Sequence, residues 1–69
     1  MMTKAEFKRL RKKLDWSQTE AAARLGVTYF TIRRWEEGTS RISGPAERLM
    51  ELFIQEMDEQ ERNATPQRP

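Results

Sequence analysis

Two glycines twelve residues apart, Gly26 and Gly38, each close a short run that opens on a hydroxyl residue, Ser17 or Thr28. Serine and threonine cap helix N-termini because their side-chain oxygens accept a backbone N–H that has no intrahelical partner. Glycine follows helix C-termini because it adopts a left-handed backbone without steric cost. Between Ser17 and Gly38 the chain therefore has room for two short helices, 18–25 and 28–37, and for only a few residues of turn between them. Ser17-Gln18-Thr19-Glu20 strengthens the first start as a capping box. Ala21-Ala22-Ala23 then supplies high helix propensity without bulk, so this helix can lie close against a neighbour.

A helix is expected on either side of this pair. Thr3-Lys4-Ala5-Glu6 is another capping box, followed by Phe7, Leu10 and Leu14 at the spacing of one helix stripe. That helix spans 3–14 and is interrupted by Asp15-Trp16. After Gly38 comes the polar loop Thr39-Ser40-Arg41-Ile42-Ser43-Gly44, and then Pro45, whose fixed φ and missing N–H suit a first helical residue. Ala46, Leu49, Met50, Phe53 and Met57 continue at helical spacing, with Leu52 and Ile54 on the flanks. No break occurs from Pro45 to about Glu61. The reading is one all-α domain over 1–62 with helices at 3–14, 18–25, 28–37 and 45–61, and a disordered polar tail over 63–69. Its expected core is Phe7, Leu10, Leu14, Ala22, Leu25, Val27, Ile32, Trp35, Leu49 and Phe53.

Composition narrows the function. The chain has 69 residues and neither Cys nor His. Thiolate metal sites, disulfides and the commonest general base are excluded together, so no metal, cofactor or catalytic activity is expected. Glu36 and Glu37 are adjacent, hence about 100° apart on a helix, and do not form a carboxylate pair. No apolar stretch approaches the ~20 residues that span a bilayer, and no signal-peptide core opens the chain, so a soluble cytoplasmic protein is expected. Charge is unevenly spread: residues 1–48 carry a net +5 and residues 49–69 a net −3. A basic body with an acidic end suits a polyanion binder, although Lys-rich helix faces are often merely solvated.

The helix over 28–37 carries the more specific signal. On a helical wheel Ile32 and Trp35 share the inward side, while Tyr29, Phe30, Arg33, Arg34 and Glu37 share the other. A merely solvated face does not require Tyr and Phe, whereas one that reads bases uses aromatics beside arginines. One of the two aromatics packing against the first helix or the next loop is the plainer alternative. Two short helices joined through a Gly-containing turn form a helix-turn-helix.

From Leu14 to Gly38 the sequence resembles the phage repressor and Cro type of helix-turn-helix, the XRE-like family. The resemblance rests on Ser17-Gln18, Ala22, Leu25-Gly26-Val27-Thr28, Ile32 and Trp35-Glu36-Glu37-Gly38, and continues through Ser43-Gly44-Pro45-Ala46. It implies a small lambda-repressor-like bundle of four helices, the last one long, bound to double-stranded DNA in a bacterial or phage setting. By resemblance, Thr28, Tyr29, Phe30, Arg33 and Arg34 face DNA, with Arg34 foremost in base readout. Gln18, Thr39, Ser40 and Arg41 fall at phosphate-contacting positions. Both arginines of the recognition helix gripping phosphates only is the plainer alternative for them. Arg11 and Glu36 match a structural ion pair between the first and third helices. Asp15 stands where glycine is common in the family, and can itself take a left-handed backbone.

The wide apolar face at Leu49, Leu52, Phe53, Ile54 and Met57 suggests a homodimer, and hence a palindromic operator and an autoregulatory repressor. A protein partner such as a toxin on that face would instead make the chain an antitoxin. An autorepressor accompanying anti-CRISPR genes is a further alternative. A winged-helix protein would share the pattern up to Trp35 but needs a β-hairpin after Gly38.

Overall fold

The computed structural model describes residues 2–64, and side chains through residue 62. Four helices follow one another: α1 (Lys4–Lys13), α2 (Gln18–Leu25), α3 (Tyr29–Glu37) and α4 (Gly44–Ala64). No strand occurs among the described residues, so the hairpin that a winged-helix protein needs after Gly38 is absent there. None of the described helices is long and apolar enough to cross a membrane.

The helix boundaries follow from local chemistry. Thr3 caps α1 by accepting the Glu6 N–H at 3.1 Å, and the Glu6 carboxylate accepts the Thr3 N–H at 3.0 Å. Ser17 accepts the Glu20 N–H at 3.0 Å, but the reciprocal half of that expected capping box is missing. Glu20 turns instead to Arg24, with Nε at 2.6 Å, because an i+4 guanidinium competes for the same carboxylate. Thr28 caps α3 by accepting the Thr31 N–H at 3.2 Å.

Three left-handed residues end the first three helices. Asp15 has φ 63°, Gly26 has φ 72° and Gly38 has φ 84°. At Asp15 the turn is a Schellman motif: Asp15 N–H donates to the Lys12 carbonyl at 2.9 Å, and Trp16 N–H to the Arg11 carbonyl at 3.1 Å. The reversal carries Trp16 back over the helix end and into the core. The sequence pattern marks Trp16 only as an interruption; the structure buries it.

α3 packs on both α2 and α1, and α4 lies across α2. The core comprises Phe7, Trp16, Ala21, Ala22, Leu25, Ile32, Trp35, Ile42, Ala46 and Met50. Ala21 and Ala22 are both buried in α2, so two small side chains let a neighbouring helix approach closely. Two edge-to-face aromatic pairs, Phe7–Trp35 at 5.6 Å and Trp16–Phe53 at 4.9 Å, lie within and against this core. Leu10, Leu14, Val27 and Phe53 pack against it while partly exposed.

Three expectations about α4 need correction. Leu49 is 38% exposed, whereas its neighbour Met50 is fully buried. Ala46, Met50 and Phe53 stand at i, i+4 and i+7, and this register turns Leu49 to the flank. The helix also starts at Gly44, with Ser43 accepting the Ala46 N–H at 3.3 Å, so Pro45 occupies the second helical position. The fit survives the shift because an N–H at the second helical position would also lack an intrahelical acceptor. At the other end, Asn63 and Ala64 belong to α4 rather than to a tail, and the rest of the expected tail lies outside the described residues.

Trp35 is the residue on which this core should be tested. It is buried in α3, against Phe7 of α1. Trp35→Ala is expected to lower unfolding free energy by about 3–5 kcal/mol, a large share of what so small a domain possesses. Urea denaturation followed by circular dichroism measures this, and a loss under about 1 kcal/mol would place the stabilising contacts elsewhere.

Candidate nucleic-acid interface

α3 can present a face to a ligand only if its orientation is fixed from behind. Arg11 and Glu36 lie behind it, with side chains more than nine-tenths buried. Arg11 Nε donates to Glu36 Oε2 at 2.5 Å and Nη2 donates to Oε1 at 3.1 Å, a two-pronged pair between α1 and α3. Arg11 Nη1 donates to the Trp16 carbonyl at 2.8 Å, and Gln18 Nε2 donates to Glu36 Oε1 at 3.1 Å. One network thus joins α1, the turn after it, the first residue of α2, and α3.

Sequence reasoning paired Arg11 with Glu36 but missed the Trp16 carbonyl and Gln18 as members. A usable signal existed: a buried guanidinium carries five donors, more than one carboxylate satisfies. Gln18, assigned to a phosphate, has one side-chain N–H committed to Glu36. Its second N–H remains for another acceptor.

On the opposite side of α3, Phe30 is 67% exposed and Tyr29 is 38% exposed. Their rings meet edge to face at 5.6 Å, so neither is drawn into the core. The two arginines beside them differ. Arg33 Nη2 donates to Glu37 Oε2 at 2.8 Å, and its guanidinium lies 6.0 Å from the Tyr29 ring centroid. Hydrogen bonding to Glu37 and then to Tyr29 pushes the Arg33 guanidinium above its ordinary pKa, so it stays charged. Arg34 is exposed and has no carboxylate within salt-bridge distance among the described residues. Of the two, Arg34 is the one free to reach outward.

The remaining assigned residues border this face. The Thr28 hydroxyl caps α3 and lies 2.9 Å from the Thr31 hydroxyl, so it is occupied locally. The Thr39 hydroxyl donates to the Arg34 carbonyl at 3.2 Å, closing the end of α3. Ser40 and Arg41 are exposed in the loop that follows.

A second surface lies on α4, away from these groups. Leu49 and Leu52 are exposed, Leu52 to 42%, and with Phe53 and Glu56 they border an open groove of about 320 Å³. Phe53, Ile54 and Met57 are half-buried, Phe53 against Trp16.

A family profile described as helix-turn-helix matches residues 7–46, from Phe7 in α1 to Ala46 in the first turn of α4. No curated protein and no solved structure matched the chain.

The network behind α3 has a measurable signature. Glu36→Ala leaves the buried Arg11 guanidinium without its counter-charge and is expected to cost about 3–5 kcal/mol. Replacing both members by methionine should recover much of that loss, because neither charge then needs solvation. Urea unfolding of the single and double variants decides the point. A double variant no more stable than the single one would show that the uncompensated charge is not the source of the loss.

Proposed function

Because the chain belongs to the Cro/C1-type, XRE-like helix-turn-helix family and is by that membership a DNA-binding transcription regulator, we propose that it is an autoregulatory repressor. It binds a palindromic operator as a homodimer, in the bacterial or phage-infected cytoplasm. The observation that carries the DNA-reading part is the outer face of α3, where a strongly exposed Phe30 stands beside an unpaired Arg34. A planar guanidinium donates two parallel hydrogen bonds to O6 and N7 of guanine, the commonest specific contact in the major groove. Phe30 offers apolar surface to a thymine methyl. Tyr29 and Arg33 hold one another and Glu37, so they support this face from its edge and contact either a base or a phosphate.

Phosphates are gripped by the second N–H of Gln18, by Ser40 and by Arg41. Thr28 and Thr39 contribute by fixing the two ends of α3, their hydroxyls being already engaged there. Dimerisation through Leu49, Leu52 and the half-buried Phe53, Ile54 and Met57 covers the apolar flank of α4. A two-fold pair presents two recognition helices about one turn of DNA apart, roughly 34 Å.

Selection of bound sequences from a random duplex pool is the direct test, and a palindromic consensus is the expected outcome. Sedimentation must then show two chains per site; one chain both free and bound would end the dimer reading. Arg34→Ala should weaken binding to the selected duplex by about 1–3 kcal/mol and relax one position per half-site. An unchanged ratio of selected to random affinity would mean that Arg34 grips phosphate only.

A further inference from the structure

From Ala21 to Ala46 the chain carries four arginines and only two carboxylates, Glu36 and Glu37. This stretch holds most of α2, all of α3 and the loops around it. Glu36 is engaged by the buried Arg11 guanidinium, but Glu37 is exposed. At 100° per residue Glu37 falls within about 20° of Phe30, two turns further along α3. It therefore stands in the middle of the outer face, between the directions of Arg33 and Arg34. A carboxylate there meets the same polyanion that the face is proposed to bind.

Local stability does not account for it. The C-terminal end of a helix is already partially negative, so a carboxylate in the last turn opposes the helix dipole. Its pairing with Arg33 runs in the weaker sense, cation first and carboxylate four residues later. Both side chains are about half exposed, a setting in which an ion pair contributes little to folding. What the pair does is restrain the guanidinium. Glu37 Oε2 accepts from Arg33 Nη2 at 2.8 Å, while the Tyr29 ring centroid lies 6.0 Å from the same group. Tyr29, Arg33 and Glu37 thus form a ladder at i, i+4 and i+8 in which the two charges cancel.

We propose that Glu37 is a specificity-determining residue that holds Arg33 off the DNA backbone, so that duplexes lacking the operator's bases bind less well. The inference rests on the DNA-binding reading and chooses between the two contacts left open to Arg33. A phosphate contact would draw Arg33 away from Glu37 and leave the carboxylate uncompensated beside the charge of the backbone. A base contact keeps the pair intact, because a guanidinium has five donors and Glu37 takes one of them. Phosphates are the same on every duplex, whereas base edges are not. A repulsive group that suppresses the first kind of contact raises the ratio of operator to random affinity without touching a base.

The test compares the full wild-type chain with Glu37→Gln, Arg33→Gln and the double variant. Each is titrated with a mixed-sequence duplex and with a duplex selected by the wild type. Glu37→Gln keeps the shape of the side chain and removes its charge. It should tighten binding to the mixed-sequence duplex more than to the selected one, and so lower the ratio between them. On the mixed-sequence duplex the slope of log affinity against log salt should steepen by about 0.9, as the released Arg33 takes one phosphate. With Arg33→Gln already in place, Glu37→Gln should leave that slope unchanged. Equal steepening with and without Arg33 would mean that the carboxylate repels the backbone by itself, and would overturn the hold on Arg33. Unchanged affinity for both duplexes would reduce Glu37 to a solvated charge and overturn the proposal. Weaker binding to the selected duplex alone would also overturn it, because Glu37 would then be accepting a hydrogen bond from a base. Wild-type protein that bound no duplex at all would overturn the DNA-binding reading itself, an outcome distinct from all of these.

Discussion

The orientation of α3 depends on a single buried guanidinium. Arg11 is held from three directions: the Glu36 carboxylate takes Nε and Nη2, and the Trp16 carbonyl takes Nη1. A planar fork satisfied in this way tolerates little rotation of α1 against α3. Apolar side chains of similar volume would often stabilise a core equally well, so stability alone is a weak reason for charges at this position. What the fork adds is direction, since leucine contacts can slide where hydrogen bonds to three oxygens cannot. Gln18 brings the first residue of α2 into the same arrangement. The two helices of the motif are thus aligned by groups on the side of α3 remote from its exposed aromatics.

The fold was largely legible because its punctuation is local. Thr3, Ser17 and Thr28 start helices and Asp15, Gly26 and Gly38 stop them, each acting through atoms within about five residues. Helix register was harder to read. In α4, Leu49 and Met50 are both apolar and adjacent, and only packing against α2 decides which one is buried. Trp16 escaped notice because a Schellman turn moves a residue from the end of one helix into the core, and periodicity does not extend across such a turn. Ala21 and Ile42 were missed for a related reason: one is small and the other sits in a loop, so neither marks an amphipathic stripe.

The candidate interface shows the same division. Its face on α3 follows from helical geometry, so Phe30 and Arg34 could be placed outward from the sequence. Which hydroxyls and arginines are already engaged could not be read there. Arg33 and Arg34 are neighbours of the same type with Glu37 four and three residues further on, and only Arg33 pairs with it. Thr28 is legible as a cap, and its hydroxyl is engaged there; Thr39 looks like a free donor in the sequence, yet its hydroxyl closes the other end of α3. Across α3, local hydrogen bonding removes several polar groups from availability and leaves a narrower set able to meet a ligand.

The chain order of the helices also bears on how fast the molecule assembles. α1, α2 and α3 pack on sequence neighbours or near neighbours, and the Arg11–Glu36 link closes a separation of 25 residues. Helical domains dominated by such short-range closure fold on the microsecond-to-millisecond scale, because little loop entropy must be lost before contacts form. A chain of this kind completes its fold soon after leaving the ribosome, with little time as an exposed, aggregation-prone polymer.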